Sequence, residues 1–170
     1  MDLNGGVIME KANEFVGVKK SKVHGTGVFA LKDIPKNTKV IEYVGKKVTK
    51  KQSDDVFEKQ FAKYEKNPNK YGGVYLFELN KRYDLDGNVS WNPARLINHS
   101  CDPNCETDII KGHIWIISIK DIKKGEEINY DYGYDLENYK DHLCKCGTKK
   151  CIGYIVAEEH WPKLKKLLKK

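Results

Sequence analysis

The 170 residues of this chain, 39% hydrophobic and 32% charged, have the size and composition of one globular domain and exclude a predominantly disordered protein. Apolar runs such as "IWII" at residues 114–117 are far shorter than the roughly 20 residues that span a bilayer, so no transmembrane segment is predicted. The formal net charge of +7 favours an acidic partner only weakly, and the only arginines, Arg82 and Arg95, argue against sequence-specific DNA recognition.

Short β-type runs dominate the chain after its first fifteen residues. Residues 1–15 show neither periodicity nor the apolar core of a signal peptide, and they are predicted to form an N-terminal extension. From Val16 onward, β-branched and aromatic runs separated by Gly, Asn, Asp and Pro indicate strands, among them "GVFAL", "TKVIEYVG", "GVYLFEL" and "HIWIISI". A mostly β fold with short helices is therefore expected.

Two segments have helical spacing instead. Over residues 50–72, apolar side chains recur at helical intervals, with Ser53 as a candidate N-cap and Asn67-Pro68 as a stop signal. A basic amphipathic helix is predicted over residues 157–170; one face carries Trp161, Leu164, Leu167 and Leu168. This helix has three interpretations: a solvated cap over the domain edge, which we favour, a contact with DNA, or a membrane-surface helix.

The five cysteines are unevenly distributed. Cys144, Cys146 and Cys151 crowd into one short stretch, which favours a reducing, intracellular compartment and a metal site over a disulfide framework. Thiolates this close can converge on zinc, with Gly147 letting the loop turn back. The spacing alone leaves the fourth ligand open, and the candidates are His99, Cys101, Cys105, His142 and His160.

Two further stretches carry candidate site residues. "KVHGTGVFA", residues 22–30, has a Gly-x-Gly turn leading into a strand, and no helix follows that would bind a dinucleotide phosphate. In "GEEINYDYGYD", residues 125–135, Tyr130 and Tyr132 alternate along an extended strand and therefore share a face. Each motif alone is more typical of an ordinary turn or of core packing than of a catalytic site.

Five motifs in this order resemble those of the SET-domain protein lysine methyltransferases that carry a post-SET zinc module. They are "HGTGVFA", "IEYVG", "RLINHSCDPNC", "GEEINYDYGYD" and "CKCGTKKC". The resemblance implies a SET fold of small β-sheets around a C-terminal pseudoknot at residues 16–135, with the helical insertion at about 50–72, and a zinc-bound post-SET module at residues 136–156. It also leaves Cys105 as a packed thiol and implies a zinc site made of Cys101, Cys144, Cys146 and Cys151.

The same resemblance implies S-adenosylmethionine as the methyl donor. Its binding residues would be His24, Gly25, Thr26, Gly27, Tyr75, Arg95, Asn98, His99, Tyr132 and Lys145. Tyr154 and Lys145 are expected to border both the cofactor and the lysine channel. The cysteine-rich pre-SET module of several histone methyltransferases has no counterpart before Ser21, so substrate choice is expected to depend on the insertion and the post-SET loop.

Methyl transfer to lysine requires a neutral amine, whereas lysine has a pKa of about 10.4 in water. A desolvated, tyrosine-lined channel beside a cationic sulfonium lowers that pKa. The resemblance assigns Tyr132 as the catalytic tyrosine, with Tyr130 and Tyr75 beside the channel. The family has phenylalanine or tyrosine at the position of Tyr130, and the tyrosine restricts the channel through a bound water, so a mono- or dimethyl product is expected.

The substrate implied by the resemblance is a protein lysine, most often in a histone tail or nucleosome, which would place the enzyme in the nucleus or on chromosomes. A non-histone substrate is the alternative, and delivery into a host cell from a bacterium or virus is a further option for its origin. Three rival classes are a catalytically silent peptide-binding SET scaffold, a zinc-containing chromatin or nucleic-acid-binding protein, and a hydrolase using Cys101 and His99. The intact motifs disfavour the silent scaffold, and the scarcity of arginine disfavours the nucleic-acid-binding protein. Zinc ligation of Cys101 disfavours the hydrolase, because a zinc-bound thiolate cannot be its nucleophile.

Overall fold

The computed structural model describes residues 10–67 and 73–169, and within them the chain forms mainly short strands. These are β1 (Glu10–Lys11), β2 (Val16–Lys20), β3 (Thr26–Ala30), β4 (Lys39–Tyr43), β5 (Lys46–Thr49), β6 (Leu76–Glu78), β7 (Tyr83–Asp86), β8 (Asn98–His99), β9 (Cys105–Ile110), β10 (His113–Ser118) and β11 (Glu127–Tyr130). The α-helices are α1 (Lys50–Lys66) and α2 (Trp161–Leu167), and 3₁₀ turns cover Pro93–Leu96, Tyr139–Asp141 and Glu158–His160. The predicted class, mostly β with short helices, is confirmed, and no helix of the described ranges is long and apolar enough to cross a membrane.

Three small sheets make up the domain. Their strand orders are β1-β2-β3-β11-β8, β4-β10-β9 and β5-β7-β6. Neighbouring strands pair antiparallel except β8 and β11, which run parallel with Asn98 opposite Asn129 and His99 opposite Tyr130. This pairing joins the segment before Cys101 to a strand about thirty residues later, which agrees with the predicted pseudoknot.

The hydrophobic core follows from the period-2 pattern of the strands. In β10, the side chains of Ile114 and Ile116 are buried while His113 is exposed, as expected when one face of a strand packs inward. Strands of the first two sheets and the 3₁₀ turn before β8 contribute to one cluster, whose members include Val16, Val28, Val40, Ala94, Ile97, Ile114, Ile116 and Ile128. This core includes Ile97, which directly precedes β8, so it adjoins that strand.

The inserted helix begins earlier than the sequence suggests. Thr49 is its N-cap, and its hydroxyl accepts a hydrogen bond from the Gln52 backbone while the Gln52 side chain accepts one from the Thr49 backbone, a capping box. The prediction that Ser53 caps the helix is wrong, because its hydroxyl donates to Asp84 Oδ2 at 2.6 Å instead. Asn67 ends the helix as predicted, and residues 68–72 of the predicted insertion lie outside the described part.

The two ends of the described chain are tied to the domain. Within the predicted N-terminal extension, β1 pairs with β2, and the Asn13 side chain donates to the Val40 carbonyl at 2.8 Å; residues 1–9 lie outside the described part. On α2, Leu164 is completely buried, whereas Leu167 and Leu168 are 43% and 46% exposed. Only part of the predicted apolar face is therefore covered, and the burial of Leu164 supports the interpretation of this helix as a cap.

Candidate active site and metal centre

Four cysteine sulfurs meet where β8 ends. Cys101 follows β8 and is buried, and its Sγ lies 3.6 Å from Cys144 Sγ. The sulfurs of Cys101, Cys144, Cys146 and Cys151 all lie within 4.8 Å of one another. The donors fit zinc, since four thiolates at a Zn–S distance of about 2.3 Å are about 3.8 Å apart. The loop bends at Gly147, whose φ of 68° is the left-handed conformation that glycine adopts freely.

The protonation of these thiols indicates what the cluster needs. Burial raises the pKa of the Cys101 thiol to about 11 and raises that of Cys144 further. Burial also acts to raise the pKa of Cys146, but hydrogen bonds from Thr148 and Cys101 outweigh it and lower this pKa to about 6. Four thiolates cannot share this space without a cation, so a divalent metal is the partner that would deprotonate all four.

Cys105 is separate from this cluster. It lies in β9 and is completely buried, and burial raises the pKa of its thiol to about 12. A thiol that stays protonated and inaccessible is not a nucleophile. This position agrees with the expectation of a packed thiol.

Three tyrosines form a row of rings from the end of β11 onward. The ring centroids of Tyr130 and Tyr132 are 5.1 Å apart, and those of Tyr132 and Tyr134 are 5.7 Å apart. Burial raises the pKa of all three hydroxyls, so each stays protonated at neutral pH. The Tyr132 hydroxyl donates to the Ile97 carbonyl at 2.9 Å. Phe77 continues the aromatic wall, with its ring 6.4 Å from that of Tyr130.

The predicted cofactor loop contacts β8 through one amide. Asn98 Nδ2 donates to the carbonyls of His24 and Thr26, at 3.3 and 3.4 Å, and to Glu127 Oε1 at 2.7 Å. At Gly27, a Cβ atom would collide with the Glu127 carboxylate. The absence of a side chain at Gly27 therefore leaves room for the Glu127 carboxylate, which in turn accepts a hydrogen bond from Asn98. It does not leave room directly for a ligand.

His99 lies between the tyrosines and the cysteines. The Tyr132 backbone N–H donates to His99 Nδ1 at 3.2 Å, and His99 Nε2 lies 3.6 Å from Cys101 Sγ. Burial lowers the pKa of this imidazole, and the Asp131 carboxylate only partly opposes the effect. His99 is therefore uncharged at neutral pH and contacts both the cysteine cluster and the tyrosine row.

Tyr75 and Arg95 contact each other, and Tyr75 lies close enough to Tyr132 and Tyr134 to help raise the pKa of their hydroxyls. The Arg95 guanidinium lies 5.7 Å from the centroid of the Tyr75 ring. The Tyr75 backbone is held at both ends, because its N–H donates to Gln60 Oε1 at 2.8 Å and its carbonyl accepts from the Tyr43 hydroxyl at 3.2 Å. Gln60 belongs to α1, so the insertion positions a predicted site residue.

The two post-SET residues have different positions. Tyr154 pairs with Leu143 in an isolated β-bridge, and its carbonyl lies 3.9 Å from Cys101 Sγ. Its ring meets that of Tyr139 edge to face at 4.9 Å. Lys145 is exposed between Cys144 and Cys146 in the cysteine loop. It does not take part in the contacts described for the other predicted cofactor residues.

A cleft adjoins these groups. It has a volume of about 310 Å³ and is lined by Val23, Asn98, His99, Glu127, Cys146 and Thr148, among others. This volume is at the lower end of the range of about 300–1,000 Å³ for small-molecule sites. Of the residues predicted to hold the cofactor, Asn98 and His99 line this cleft together with Cys146 of the cysteine loop, whereas Tyr75, Arg95 and Tyr132 do not.

The sequence did not single out several residues that support this site. Glu127 accepts hydrogen bonds from Asn98 and from Ser21, and Gln60 holds Tyr75. Two adjacent acids in "GEEINY" were a visible sign for Glu127, since a carboxylate beside a glycine-rich loop needs partners. Gln60 carried no such sign, because it is an ordinary polar residue of an amphipathic helix.

Comparison with known proteins identifies the domain. The family model for the SET domain matches residues 25–133. Histone-lysine N-methyltransferase trr of Drosophila melanogaster is 37% identical over 141 residues, which are 80% of this chain and 6% of that protein. Histone-lysine N-methyltransferase 2D of Homo sapiens is 36% identical over 141 residues, or 80% of this chain and 2% of that protein.

A fungal relative extends the match slightly. Histone-lysine N-methyltransferase, H3 lysine-4 specific, of Aspergillus oryzae is 35% identical over 153 residues, or 86% of this chain and 12% of that protein. The chain therefore spans only a small part of the length of these relatives. Since the family match covers most of the chain, from the Gly25 loop to the end of the Tyr130–Tyr132 motif, this chain belongs to the SET domain family.

Proposed function

We propose that this chain is a protein lysine methyltransferase that transfers methyl groups from S-adenosylmethionine to the side-chain amine of a histone lysine. The observation that carries the proposal is the row of protonated tyrosine rings that begins beside Asn98 and His99, with Tyr132 contacting both β8 and the 3₁₀ turn before it. The names of the SET relatives support the reaction and the histone substrate.

The aromatic row would prepare the substrate amine. A lysine amine attacks a methyl group only when it is neutral, and an aromatic channel disfavours the ammonium form because it excludes water. The rings of Tyr130 and Tyr132 offer such walls, because Tyr130 is buried and Tyr132 is half-buried. A channel of this kind also holds the amine in one direction, which lowers the barrier by avoiding an entropic cost at the transition state.

Tyr132 would orient the amine rather than remove its proton. Its O–H is already donated to the Ile97 carbonyl, so the lone pairs of its oxygen remain available to accept a hydrogen bond from the amine. A hydroxyl whose pKa is raised by burial is a poor general base at neutral pH. The ammonium proton would therefore leave to solvent before the methyl group moves.

The methyl donor would lie beside Asn98 and His99. S-adenosylmethionine supplies a methyl group on a cationic sulfur. Within the chain, the residues proposed to hold it are the loop His24–Gly27, Tyr75, Arg95, Asn98, His99, Tyr132 and Lys145. The contacts of Asn98 with the carbonyls of His24 and Thr26 support this set, because one side chain fixes the loop relative to β8. Lys145, which is exposed, is the outermost member.

The four cysteines are proposed to bind a structural zinc ion. Their convergence within 4.8 Å supports a closed tetrahedral site with no position left for substrate. The zinc would fasten the cysteine loop to Cys101 and so complete one wall of the cleft. We retain the division into a SET domain at residues 16–135, a post-SET module at 136–156 and a C-terminal helical segment at 157–170 as part of this proposal.

A histone substrate would place the protein in the nucleus or on chromatin. Histone H3 is the first candidate, because the name of the Aspergillus oryzae relative specifies H3 lysine 4. The lysines of the C-terminal helix, among them Lys163, Lys165 and Lys166, are exposed and would add a salt-dependent contact with nucleosomal DNA. Substrate choice would depend on α1 and on the post-SET loop.

Mass spectrometry of histones and nucleosomes, incubated with the full chain and S-adenosylmethionine, tests the proposal. We expect methyl additions with the wild-type chain, and a rate about 100- to 1,000-fold lower with Tyr132→Phe, the usual effect of removing one positioned catalytic hydrogen-bonding group. Tyr83→Phe is the matched control, because Tyr83 lies in β7 and should not change the rate.

Other outcomes would contradict parts of the proposal. Equal rates for wild type and Tyr132→Phe would exclude the assigned catalytic role. Methylation of non-histone proteins alone in a cell extract would favour the alternative substrate class. Absence of transfer to any protein would overturn the assignment of methyltransferase activity to this chain.

The methylation state gives a second test. Tyr130 is buried, and its ring contacts Phe77 and Tyr132, so a water held by its hydroxyl would restrict the room around the amine. We expect mainly mono- and dimethyllysine from the wild-type chain and a shift toward trimethyllysine with Tyr130→Phe, measured from the product ratios at equal turnover. An unchanged ratio would show that Tyr130 does not control the product.

A further inference from the structure

The imidazole of His99 makes polar contacts through both of its nitrogens. Nδ1 lies 3.2 Å from the Tyr132 backbone nitrogen, and Nε2 lies 3.6 Å from Cys101 Sγ. The side chain is almost completely buried, and its ring also meets the Tyr132 ring at a centroid distance of 5.4 Å. One side chain thus connects a proposed metal ligand to the proposed catalytic tyrosine.

The protonation of the two nitrogens follows from these partners. The Tyr132 backbone N–H is always a donor, so Nδ1 must accept, and a neutral imidazole then carries its proton on Nε2. The carboxylate of Asp131 lies 3.6 Å from Nδ1 and so faces the other nitrogen of the ring. The Nε2–H of this neutral tautomer faces the sulfur of Cys101.

We propose that His99 is a positioning residue that couples the metal site to Tyr132 through an Nε2–H···Sγ hydrogen bond to the Cys101 thiolate. This role goes beyond cofactor binding; it rests on the proposed zinc occupancy and not on the proposed methyl transfer. A donor on a metal-bound thiolate stabilises its negative charge and fixes its orientation. The same bond fixes the ring, and with it the acceptor that holds the Tyr132 backbone.

The coupling has a reciprocal consequence. If binding of S-adenosylhomocysteine, a non-reactive analogue of the methyl donor, strengthens zinc binding by some factor, zinc must strengthen binding of that analogue by the same factor. The His99 side chain contacts Cys101 through one nitrogen and the Tyr132 backbone through the other. Its substitution should therefore reduce the factor by which zinc and the analogue strengthen each other's binding toward one. Residues that only support the fold would change both affinities without removing their dependence on each other.

Nuclear magnetic resonance of the full, zinc-loaded chain tests the geometry without a substitution. Histidine ¹⁵N shifts distinguish the two neutral tautomers, and we expect Nε2 of His99 to carry the proton. Removal of zinc by a chelator should also move the Tyr132 amide resonance, whereas the amide of Ile116, in the β10 core, should move little. A proton found only on Nδ1 would overturn the proposal.

Two substitutions separate the two ends of the contact. An asparagine oxygen can replace the Nδ1 acceptor, so His99→Asn keeps the contact with Tyr132 and loses the donor toward Cys101; a glutamine amide can replace the Nε2 donor, so His99→Gln does the reverse. We expect zinc affinity, measured by competition with a chromogenic chelator, to fall about 10- to 100-fold in His99→Asn and much less in His99→Gln. His113→Asn is the matched control, because His113 is exposed on β10.

The outcomes distinguish this proposal from the proposed function. Equal zinc affinities of wild type and His99→Asn would overturn it, whatever the methylation rates. A wild-type chain that binds no zinc would overturn both this proposal and the metal assignment but would leave the methyltransferase proposal standing. A wild-type chain that binds zinc normally but transfers no methyl group would overturn the methyltransferase proposal and leave this proposal standing.

Discussion

The β8–β11 region and the α1 insertion are attached to the domain in different ways. Around β8, backbone pairing with β11 is reinforced by side-chain contacts, and the partners of Asn98 and His99 are the glycine loop, Glu127 of β11, the Tyr132 backbone and Cys101. The helix α1 depends on a few buried polar groups, chiefly Ser53 and Gln60, which bind Asp84 and Asp86 of β7.

The two regions also differ in what they leave exposed. The polar groups of β8 are buried, whereas α1 carries the stacked rings of Phe57 and Phe61 with Phe57 48% exposed. A domain can hold an amphipathic helix by hydrogen bonds on one face and leave apolar side chains on the other. The residues of β8 are therefore held in place by contacts with several segments, whereas the insertion is anchored at a few points.

Loss of the metal site should have the largest effect, because it removes one side of the tightly connected region. In Cys144→Ser, and in wild type treated with a chelator, we expect loss of bound zinc and a loss of about 3 kcal/mol or more of stability, since metal-binding free energy is folding free energy. For a chain of this size, that corresponds to a fall in Tm of about 6–12 °C, measured by calorimetry.

Cys105→Ala is the control for this experiment. Cys105 is buried outside the cluster, so zinc stoichiometry should remain that of wild type. A Cys144→Ser protein that retains one tightly bound zinc and an unchanged Tm would contradict the four-cysteine assignment.

Removal of the anchor of α1 should have an intermediate effect. Gln60 is buried, accepts from the Tyr75 backbone and donates to Asp86 Oδ1 at 2.8 Å. Gln60→Ala leaves the Tyr75 N–H without its acceptor and removes one of the two hydrogen bonds to Asp86 Oδ1, which keeps the one from the Asn88 backbone. We therefore expect a loss of about 1–3 kcal/mol in the free energy of unfolding, measured by urea denaturation. The exposed neighbour Lys59 provides a control, because Lys59→Ala should stay within about 0.5 kcal/mol of wild type.

The aromatic face of the insertion should have the smallest effect on stability. In Phe57→Ser, the stacking with Phe61 at 5.6 Å is lost, and a partly exposed ring pair contributes about 1 kcal/mol. We expect a change no larger than this in urea denaturation. A loss above about 2 kcal/mol would mean that Phe57 is packed as tightly as the core, and would remove the contrast between the two faces of the helix.

Most residues of the candidate site could be named from the sequence because they lie in short motifs, and their roles stay predictions. The spacing of Cys144, Cys146 and Cys151 alone indicated a metal site, but it left five candidates for the fourth ligand. The structure brings Cys101 to the other three cysteines. Gln60 was not predictable as a support, because a hydrogen bond between segments far apart in sequence leaves no local pattern.

Helix ends were harder to predict for a similar reason. Ser53 and Thr49 both had the chemistry of an N-cap, and the tertiary contact of Ser53 with Asp84 decided between them. On α2, the pattern of leucines indicated an apolar face, but only the neighbouring surface determines which of them it covers, and Leu164 alone is completely buried.

The parallel pairing of β8 with β11 also has a consequence for how the chain reaches its native state. The contacts that define the site join residues separated by 106 positions for Ser21 and Glu127, 74 for Asn98 and His24, and 43 for Cys101 and Cys144. Contacts this distant in sequence form slowly, because a large loop must close before any of them stabilises the chain. The proposed catalytic centre should therefore be among the last parts to become ordered, and local hairpins such as β9–β10 should form well before the protein can bind a ligand.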